Sequence, residues 1–241
     1  MTQQPFPVIA PDAPVDHSEL CRFASLHELI VMETQQAFRE WLGEDSMKPF
    51  TVDPDAGTLT LGKRTFKAQL LGSLSKLDNT WLWSWANSGF QGNPMAEAAI
   101  WLRDASPHHD RVWQLRTAKF PVDEQSSTEG APAWALQFSC FAWLAPRAQY
   151  SGSYGPGRAF LTIHDESVPR FEASPVRFPQ LVMHLVSQGW EVTEPVRAYA
   201  QWFGAEFSGD ESGGWRIGFQ DGTAYQATFD EYGRMTRLTS V

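Results

Sequence analysis

The sequence contains little cysteine and no long apolar run, and both features narrow the classes of protein to which the chain can belong. Only two cysteines, Cys21 and Cys140, occur among 241 residues, and both lie in apolar, helix-like stretches. This excludes a disulfide-dense scaffold, and we expect buried free thiols in a reducing compartment. No apolar stretch approaches the ~20 residues that a membrane-spanning helix requires. Residues 1–16 lack the basic and apolar regions of a signal peptide, so we expect a cytoplasmic protein without a membrane partner.

Positive charge is also scarce. The chain has 19 lysine and arginine residues against 28 aspartate and glutamate residues, which gives a formal net charge of −9. A nucleic-acid-binding protein needs a basic face, so we predict no nucleic-acid partner. An acidic surface is compatible with a basic protein partner, although solubility explains the same charge equally well.

The common catalytic and cofactor motifs are missing. The glycines follow neither the dinucleotide-binding nor the phosphate-loop spacing. His27-Glu28 begins like a zinc-protease motif, but Val31 stands where the second histidine is required. The turn at 53–57 resembles the start of a calcium loop, but Arg64 occupies the twelfth position, where such a loop needs glutamate. The sequence therefore predicts no catalytic residues, no metal and no cofactor.

Two small polar clusters each allow a structural and a functional interpretation. His108 and His109 precede Asp110, but no further metal-ligating cluster is visible, so we interpret this segment as an ordinary loop. His164, followed by Asp165 and Glu166, is either a general-base cluster or the solvated end of a strand.

The most distinctive stretch is Phe66 to Phe90, in a chain that has eleven tryptophans. It predicts a β-hairpin that turns at Asp78-Asn79, since both residues tolerate the left-handed backbone of a tight turn. Side chains alternate along a strand, so Trp81, Trp83, Trp85 and Asn87 are predicted to share one face.

A two-residue loop at Asp78-Asn79 also predicts the register of this hairpin. Leu74 falls opposite Trp83, and Gly72 falls opposite Trp85, where the missing side chain leaves room for the indole. The other face of the hairpin carries small residues such as Ser73. One face is thus large and aromatic, and the other is small.

Three tryptophans on one face allow two interpretations. The first is a hydrophobic core, because each indole buries roughly 150–250 Å² and core packing is the commoner use of such residues. The second is a platform for a ligand, with Asn87 as a polar contact at its end, which requires an open groove.

The residues Gln69-Leu70-Leu71-Gly72-Ser73, followed by Thr80 to Asn87, resemble the mark of a bacterial family known only as a domain of unknown function. Its members carry a TWLW-x-WAN strand after a Q-x-x-G-S strand. A helix precedes these strands, and a Y-x-x-x-x-G-x-x-x-F-L hairpin follows them, here Tyr150 to Leu161. The resemblance spans roughly Phe23 to His164. It implies no activity and no catalytic residues, because none are known for the family.

The remaining elements follow from periodicity and turn signals. Helical spacing of apolar residues predicts helices over 16–42, 93–104, 131–145, 178–188 and 194–207. Alternating residues beside turn signals predict hairpins over 50–61 and 149–165 and strands over 215–219, 225–229 and 235–239. Residues 112–120 are ambiguous and are assigned to a strand, and 123–130 to a polar loop.

This order of elements predicts an α+β fold in which an antiparallel β-meander sheet packs against several helices. Weak sequence similarity between the early and late parts of the chain suggests two related units, each with helices followed by a β-meander. We predict an extended N-terminal arm over 1–16, a main domain over 17–168, and a C-terminal region over 175–241 that contains helices and a three-stranded meander. That last region either folds separately or completes the first sheet.

Two hypotheses for function follow. The first is a non-catalytic protein-binding module, immunity-like or regulatory, that binds a basic partner. The second is a small-molecule-binding protein or hydrolase whose pocket is lined by the Trp81/Trp83/Trp85 face. For the second hypothesis, the candidate ligand-binding residues are Trp81, Trp83, Trp85, Asn87, Tyr150, Arg158 and His164.

Overall fold

The computed structural model describes residues 6–11, 13–108, 110–122 and 132–241. Within these residues the chain forms five α-helices and eleven β-strands. The helices are α1 (Ser18–Leu42), α2 (Glu97–Asp104), α3 (Pro132–Leu144), α4 (Phe178–Ser187) and α5 (Thr193–Phe203). The predicted loop at 123–130 and His109 of the predicted histidine loop lie outside the described residues.

The strands form one seven-stranded and one four-stranded antiparallel sheet, which confirms the predicted α+β class. The first sheet contains β1 (Phe50–Asp53), β2 (Thr58–Leu61), β3 (Arg64–Ser75), β4 (Thr80–Trp83), β5 (Lys119–Pro121), β6 (Ala148–Tyr154) and β7 (Gly157–Ile163). The second sheet contains β8 (Glu206–Asp210), β9 (Gly214–Gly218), β10 (Ala224–Phe229) and β11 (Met235–Ser240).

Backbone contacts divide the chain into two compact units. The first unit contains residues 1–24 and 38–170, and the second contains 25–37 and 171–241. The middle of α1 therefore groups with the C-terminal region, which the sequence pattern did not indicate. The predicted domain boundaries and the predicted similarity between the early and late parts of the chain remain predictions.

The first sheet grows as a meander from β1 to β5, and β7 pairs with β3 and with β6. The turn between β1 and β2 forms where predicted, because the Asp53 carboxylate accepts the backbone N–H groups of Asp55 (3.1 Å) and Ala56 (3.0 Å). Leu71 is left out of the otherwise regular pairing of β3 with β7, which marks a β-bulge.

The predicted register of the tryptophan hairpin is wrong by two residues. Leu74 lies opposite Trp81 and Gly72 lies opposite Trp83, because the connection has four residues, 76–79, rather than two. Asn79 adopts the left-handed backbone expected of the turn, with φ at 49°. A shift of two residues preserves the faces of a strand, so Trp81 and Trp83 still share one face.

That face forms the core of the first unit, and Trp81 and Trp83 are fully buried in it. The start of α1, together with α2 and α3, packs over it. A Cβ atom on Gly72 would lie 2.8 Å from the Trp81 ring and 2.6 Å from the carbonyl oxygen of Leu82. Gly72 therefore leaves room for an indole, as expected, but that indole belongs to Trp81 rather than to Trp85. The indole N–H of Trp83 donates to the carbonyl oxygen of Gln114 at 2.8 Å.

The N-terminal arm is tied to the first sheet at its β5 edge. The backbone N–H of Ala118 donates to the carbonyl oxygen of Pro7 (2.7 Å). The backbone N–H of Ile9 donates to the carbonyl oxygen of Lys119 (2.8 Å). Residues 112–120, predicted as one strand, instead form a 3-10 turn over Trp113–Arg116 before β5 begins at Lys119.

The second unit has a four-stranded meander rather than the predicted three strands. Helix α5 ends at Phe203 instead of continuing to 207, because Gly204 adopts a left-handed backbone with φ at 70° and lets the chain turn into β8. Phe178 of α4 is fully buried in this unit, and its ring packs against Tyr199 of α5 and Trp215 of β9.

A buried ionic network links the helices of the second unit. Glu33 of α1 is fully buried, and its carboxylate accepts the Nε–H of Arg177 (2.7 Å) and the hydroxyl of Tyr199 (3.0 Å). Burial raises the pKa of Glu33, while the Arg177 hydrogen bond and charge oppose that shift. Loss of either partner would leave a buried charge partly unsatisfied, which is strongly destabilising.

A second buried carboxylate of α1 has much weaker compensation. Glu28 is 3% exposed, its Oε1 lies 3.5 Å from Nε2 of His184, and its Oε2 has no hydrogen-bond partner in the part of the chain described. Burial raises the pKa of Glu28 from its ordinary value to about 7.

We expect Trp83→Ala to lower the free energy of unfolding by about 3–5 kcal/mol, because it removes a fully buried indole. Trp83→Phe keeps an aromatic ring but removes the shorter of the two hydrogen bonds to the Gln114 carbonyl oxygen, which keeps that of the Thr117 N–H at 3.4 Å, so a smaller loss of about 1–3 kcal/mol is expected. Urea titrations followed by circular dichroism measure both values. Trp101→Ala, at a residue that is 42% exposed, is the control. Equal losses for Trp83→Ala and Trp101→Ala would contradict the core assignment.

We expect Glu28→Gln to change how stability depends on pH. The folded state holds the Glu28 proton up to about pH 7, while the unfolded chain releases it near 4.5. Stability contributed by this group is therefore lost as the pH rises through that window. Relative to the parent, the variant should gain about 2–3 kcal/mol between pH 5 and pH 8. Thermal and urea unfolding at each pH measure the gain, with Glu19→Gln, at an exposed position of α1, as the control. Parallel pH curves for the parent and Glu28→Gln would refute the buried-carboxylate account.

Candidate functional site

The candidate site lies on the small-residue face of the first sheet. Ser73 of β3 lies opposite Ala159 of β7, and Ala159 lies opposite Gly152 of β6. Residues directly opposite each other in antiparallel strands share a face, so these three form a row across neighbouring strands. By the same alternation, this row faces away from Trp81 and Trp83. Three short side chains in a row leave a depression in the sheet surface.

A pocket of about 540 Å³ occupies this depression. It is lined by Phe50, Thr51, Val52, Pro54, Leu70, Ser73, Asn87, Phe90, Ser153, Tyr154 and Ala159, all from the first unit. Its size falls within the range of about 300–1,000 Å³ that is typical of small-molecule sites. Most of the lining side chains are apolar or aromatic.

The ring of Phe50 forms one wall, and its position depends on Gly152. A Cβ atom on Gly152 would lie only 2.4 Å from the Phe50 ring, so the ring rests on bare backbone. Tyr150 supports the same ring with a centroid separation of 5.3 Å at an interplanar angle of 57°. Phe50 begins strand β1. The residue that follows the other end of this strand, Pro54, is held by Asn93, whose side-chain nitrogen donates to the Pro54 carbonyl oxygen at 3.1 Å.

The polar groups of the lining residues are few and uncharged, and the nearby Lys76 Nζ, outside the lining, donates to the Ser153 hydroxyl at 3.4 Å. Asn87 Oδ1 accepts the backbone N–H of Gly89 at 3.0 Å, which orients the side-chain amide. The Asn87 Nδ2 group makes no hydrogen bond with the described residues and can donate to a ligand. The hydroxyl of Ser73 lies on the floor. The lining residues include no carboxylate, histidine, cysteine or lysine, so the arrangement suits binding rather than acid–base chemistry.

The structure separates the residues predicted to bind a ligand. Trp81 and Trp83 lie in the core, on the other face of the sheet. Asn87 lines the pocket, and Tyr150 lies behind Phe50 as its support. Trp85 lies beyond the end of β4, in a 3-10 turn over Ser84–Ala86, so it does not continue the row of Trp81 and Trp83.

Arg158 and His164 lie away from the pocket floor. Arg158 lies opposite Leu74, so it belongs to the tryptophan face of the sheet. His164 follows β7 at an exposed position, and its Nε2 is 3.0 Å from the Thr162 hydroxyl. The neighbouring Asp165 accepts the backbone N–H of Lys67 at 2.8 Å, which gives it a structural role. No group of three metal-ligating side chains occurs among the residues that the structure describes.

Trp85 is covered by the N-terminal arm. The ring of Phe6 lies 4.8 Å from that of Trp85, edge to face. The guanidinium of Arg103 lies over both rings, at 4.6 Å from Phe6 and 5.0 Å from Trp85. This interaction fixes the arm and leaves the predicted platform residue occupied by the chain itself.

Sequence reasoning missed the pocket-lining residues Phe50, Leu70, Phe90 and Ala159. The sequence feature that could have indicated them is the hairpin face with short side chains, which includes Ser73 and lies opposite the tryptophans. The strand alternation identified that face, but only the pairing of β7 with β3 brings Ala159 and Gly152 beside it.

A family model matches residues 22–166 of the chain, so the chain belongs to this family of unknown function, DUF6882. The pocket lies entirely within the matched residues. Neither the curated proteins nor the solved structures include a match to the chain. In the described part of the chain, no helix is both long and apolar enough to cross a membrane.

We expect Gly152→Ala to destabilise the protein by about 1–3 kcal/mol, because the new methyl group overlaps the Phe50 ring. In a Phe50→Ala background the same change should cost much less, since the overlapping ring is gone. Urea unfolding of the four proteins in this cycle measures the coupling. Gly213→Ala, which meets no atom within 4 Å, is the control for a glycine replacement. Additive effects at positions 50 and 152 would show that the wall is not positioned in this way.

Proposed function

We propose that this member of the DUF6882 family binds a small, uncharged and mainly apolar molecule in the pocket of the first unit. The observation that carries the proposal is the pocket itself, whose volume of about 540 Å³ and apolar walls match those of small-molecule sites. Phe50, Phe90 and Tyr154 offer aromatic surface, and Asn87 and Ser73 offer hydrogen bonds.

The electrostatics of the lining define the ligand. A charged ligand group buried against these residues would lose its hydration without gaining an opposite charge, which is costly. A neutral molecule that carries a hydrogen-bond acceptor fits better, because it can use the free N–H groups of Asn87 Nδ2. The lining contains no histidine or carboxylate that could act as a base for Ser73 or Ser153, and the Ser153 hydroxyl accepts a hydrogen bond from Lys76 Nζ at 3.4 Å, which favours binding over hydrolysis.

The test is a ligand-observed NMR screen of neutral aromatic, anionic and cationic fragments against the full chain. We expect neutral fragments to bind and charged ones to fail. Ser73→Leu should fill the floor and abolish binding. Ser75→Leu places the same side chain two residues along the same face, outside the lining, and should bind as the parent does. Melting temperatures establish that both variants are folded. Binding that survives Ser73→Leu, or no binding by any fragment, would refute the proposal.

The role of Asn87 is tested with the fragments that carry an acceptor. Asn87→Ala should weaken their binding about 5- to 10-fold, the value of one hydrogen bond. Fragments of similar shape that lack an acceptor should lose less than about twofold. An equal loss for both classes would mean that the substitution acts through the 3-10 turn that Asn87 orients, and not through the ligand.

A protein-binding role, immunity-like or regulatory, is a second candidate. The observation in its favour is the concentration of negative charge in the second unit, which does not contribute to the pocket.

A further inference from the structure

The negative charge of the chain is concentrated in the second unit. Residues 25–37 and 171–241 contain eleven acidic residues, five arginines and no lysine, so they carry −6 of the formal net charge of −9. Glu28 and Glu33 are buried, but the nine carboxylates of residues 171–241 include many exposed ones. A surface of this kind attracts positively charged partners.

A groove of about 420 Å³ opens in this acidic unit. It is lined by Val186, Gly189, Trp190, Glu191, Val192, Glu211, Tyr232, Gly233, Arg234 and Met235. These residues come from the end of α4, the segment before α5, the turn between β8 and β9, and the turn that leads into β11. The groove thus combines aromatic rings, aliphatic side chains and two glutamates.

The glutamates of the groove differ in their partners. Glu191 accepts the backbone N–H groups of Thr193 and Glu194 at the start of α5, which fixes its side chain. Glu211 forms no ion pair within the described part of the chain, so its charge is available. Both residues are exposed, so their carboxylates are accessible.

Tyr232 already receives one cation. The guanidinium of Arg234 lies 5.1 Å from the centre of its ring, held by Asp230 at 2.8 Å. The Tyr232 ring is nevertheless 73% exposed, so part of its surface is open to a ligand. An aromatic ring takes a cation on each face, and Asp230 neutralises the Arg234 that occupies one of them.

We infer that this groove binds a basic segment of a partner protein. A lysine or arginine side chain of that segment would place its aliphatic stem on Val186 and Met235 and its cation between Glu211 and the ring of Tyr232. Charge complementarity selects this occupant, because the groove offers the carboxylate of Glu211, which has no ion-pair partner among the described residues, beside aromatic surface. The groove lies outside residues 22–166, so this inference is independent of the small-molecule proposal.

The probe is a fluorescein-labelled nine-residue peptide that alternates arginine and valine, measured by fluorescence anisotropy against the full chain at 50 and 150 mM NaCl. A peptide with glutamate in place of arginine is the control for the ligand. The expected result is binding of the basic peptide alone. Glu211→Gln and Tyr232→Ala should each weaken it at least fivefold at 150 mM NaCl.

Glu206→Gln, at an exposed carboxylate of β8 that lies outside the groove, removes the same charge and should change the affinity less than twofold. Equal losses for Glu206→Gln and Glu211→Gln would show that only the diffuse negative charge attracts the peptide. That result, or an absence of binding by the basic peptide, would overturn the inference. Amide NMR shifts confined to residues 186–192, 211 and 232–235 would support it, and shifts confined to the rest of the chain would refute it.

Discussion

Two indoles, Trp81 and Trp83, are buried where β3 has no side chain at Gly72, and the first unit is arranged around this contact. The ring of Trp81 lies so close to the bare backbone that even a methyl group at Gly72 would overlap it. Helices α2 and α3 then cover the indoles and exclude water from them. Burial of two such rings outweighs most other single contributions to the stability of a unit of this size.

This arrangement also produces the opposite face of the sheet. Trp81, Trp83 and Phe160 are committed to the helix-covered side, whereas the residues at the pocket floor on the other side, Ser73, Ala159 and Gly152, are short. The row of Ser73, Ala159 and Gly152 cannot fill the space beneath the Phe50 strand, so a pocket remains. The same alternation that makes a dense core on one side therefore makes a binding site on the other.

The second unit uses its carboxylates in two ways. Glu33, paired with Arg177 and Tyr199, is a buried contact that joins three helices, whereas Glu211 is exposed and has no ion-pair partner in the described chain. Buried charges of the first kind restrict how helices pack, at the cost of their hydration. Exposed charges of the second kind act on approaching molecules. The pocket lies within the residues that match the family, and the groove lies outside them, so the two proposed binding activities can be separated experimentally.

The sequence by itself determined most of the secondary structure. Helix α1, the Phe50–Leu61 hairpin, the pairing of β6 with β7 and the last three strands follow from local periodicity and turn residues. These signals act over a few residues, and the family resemblance depended on the same local pattern around Thr80–Asn87. The sequence also distinguished a large from a small face in the tryptophan hairpin. It misplaced the register by two residues because the length of a loop depends on how the flanking strands pair.

Only the tertiary structure decided what each face does. The adjacency of Ser73, Ala159 and Gly152 depends on strands that are about 80 residues apart in sequence, and no local pattern specifies that pairing. The same is true of Phe6 on Trp85 and of Tyr232 beside Glu211, which come together only when distant segments fold. Alternation along one strand determines which residues share a side, whereas the neighbouring strands and helices determine whether that side becomes a core or a pocket.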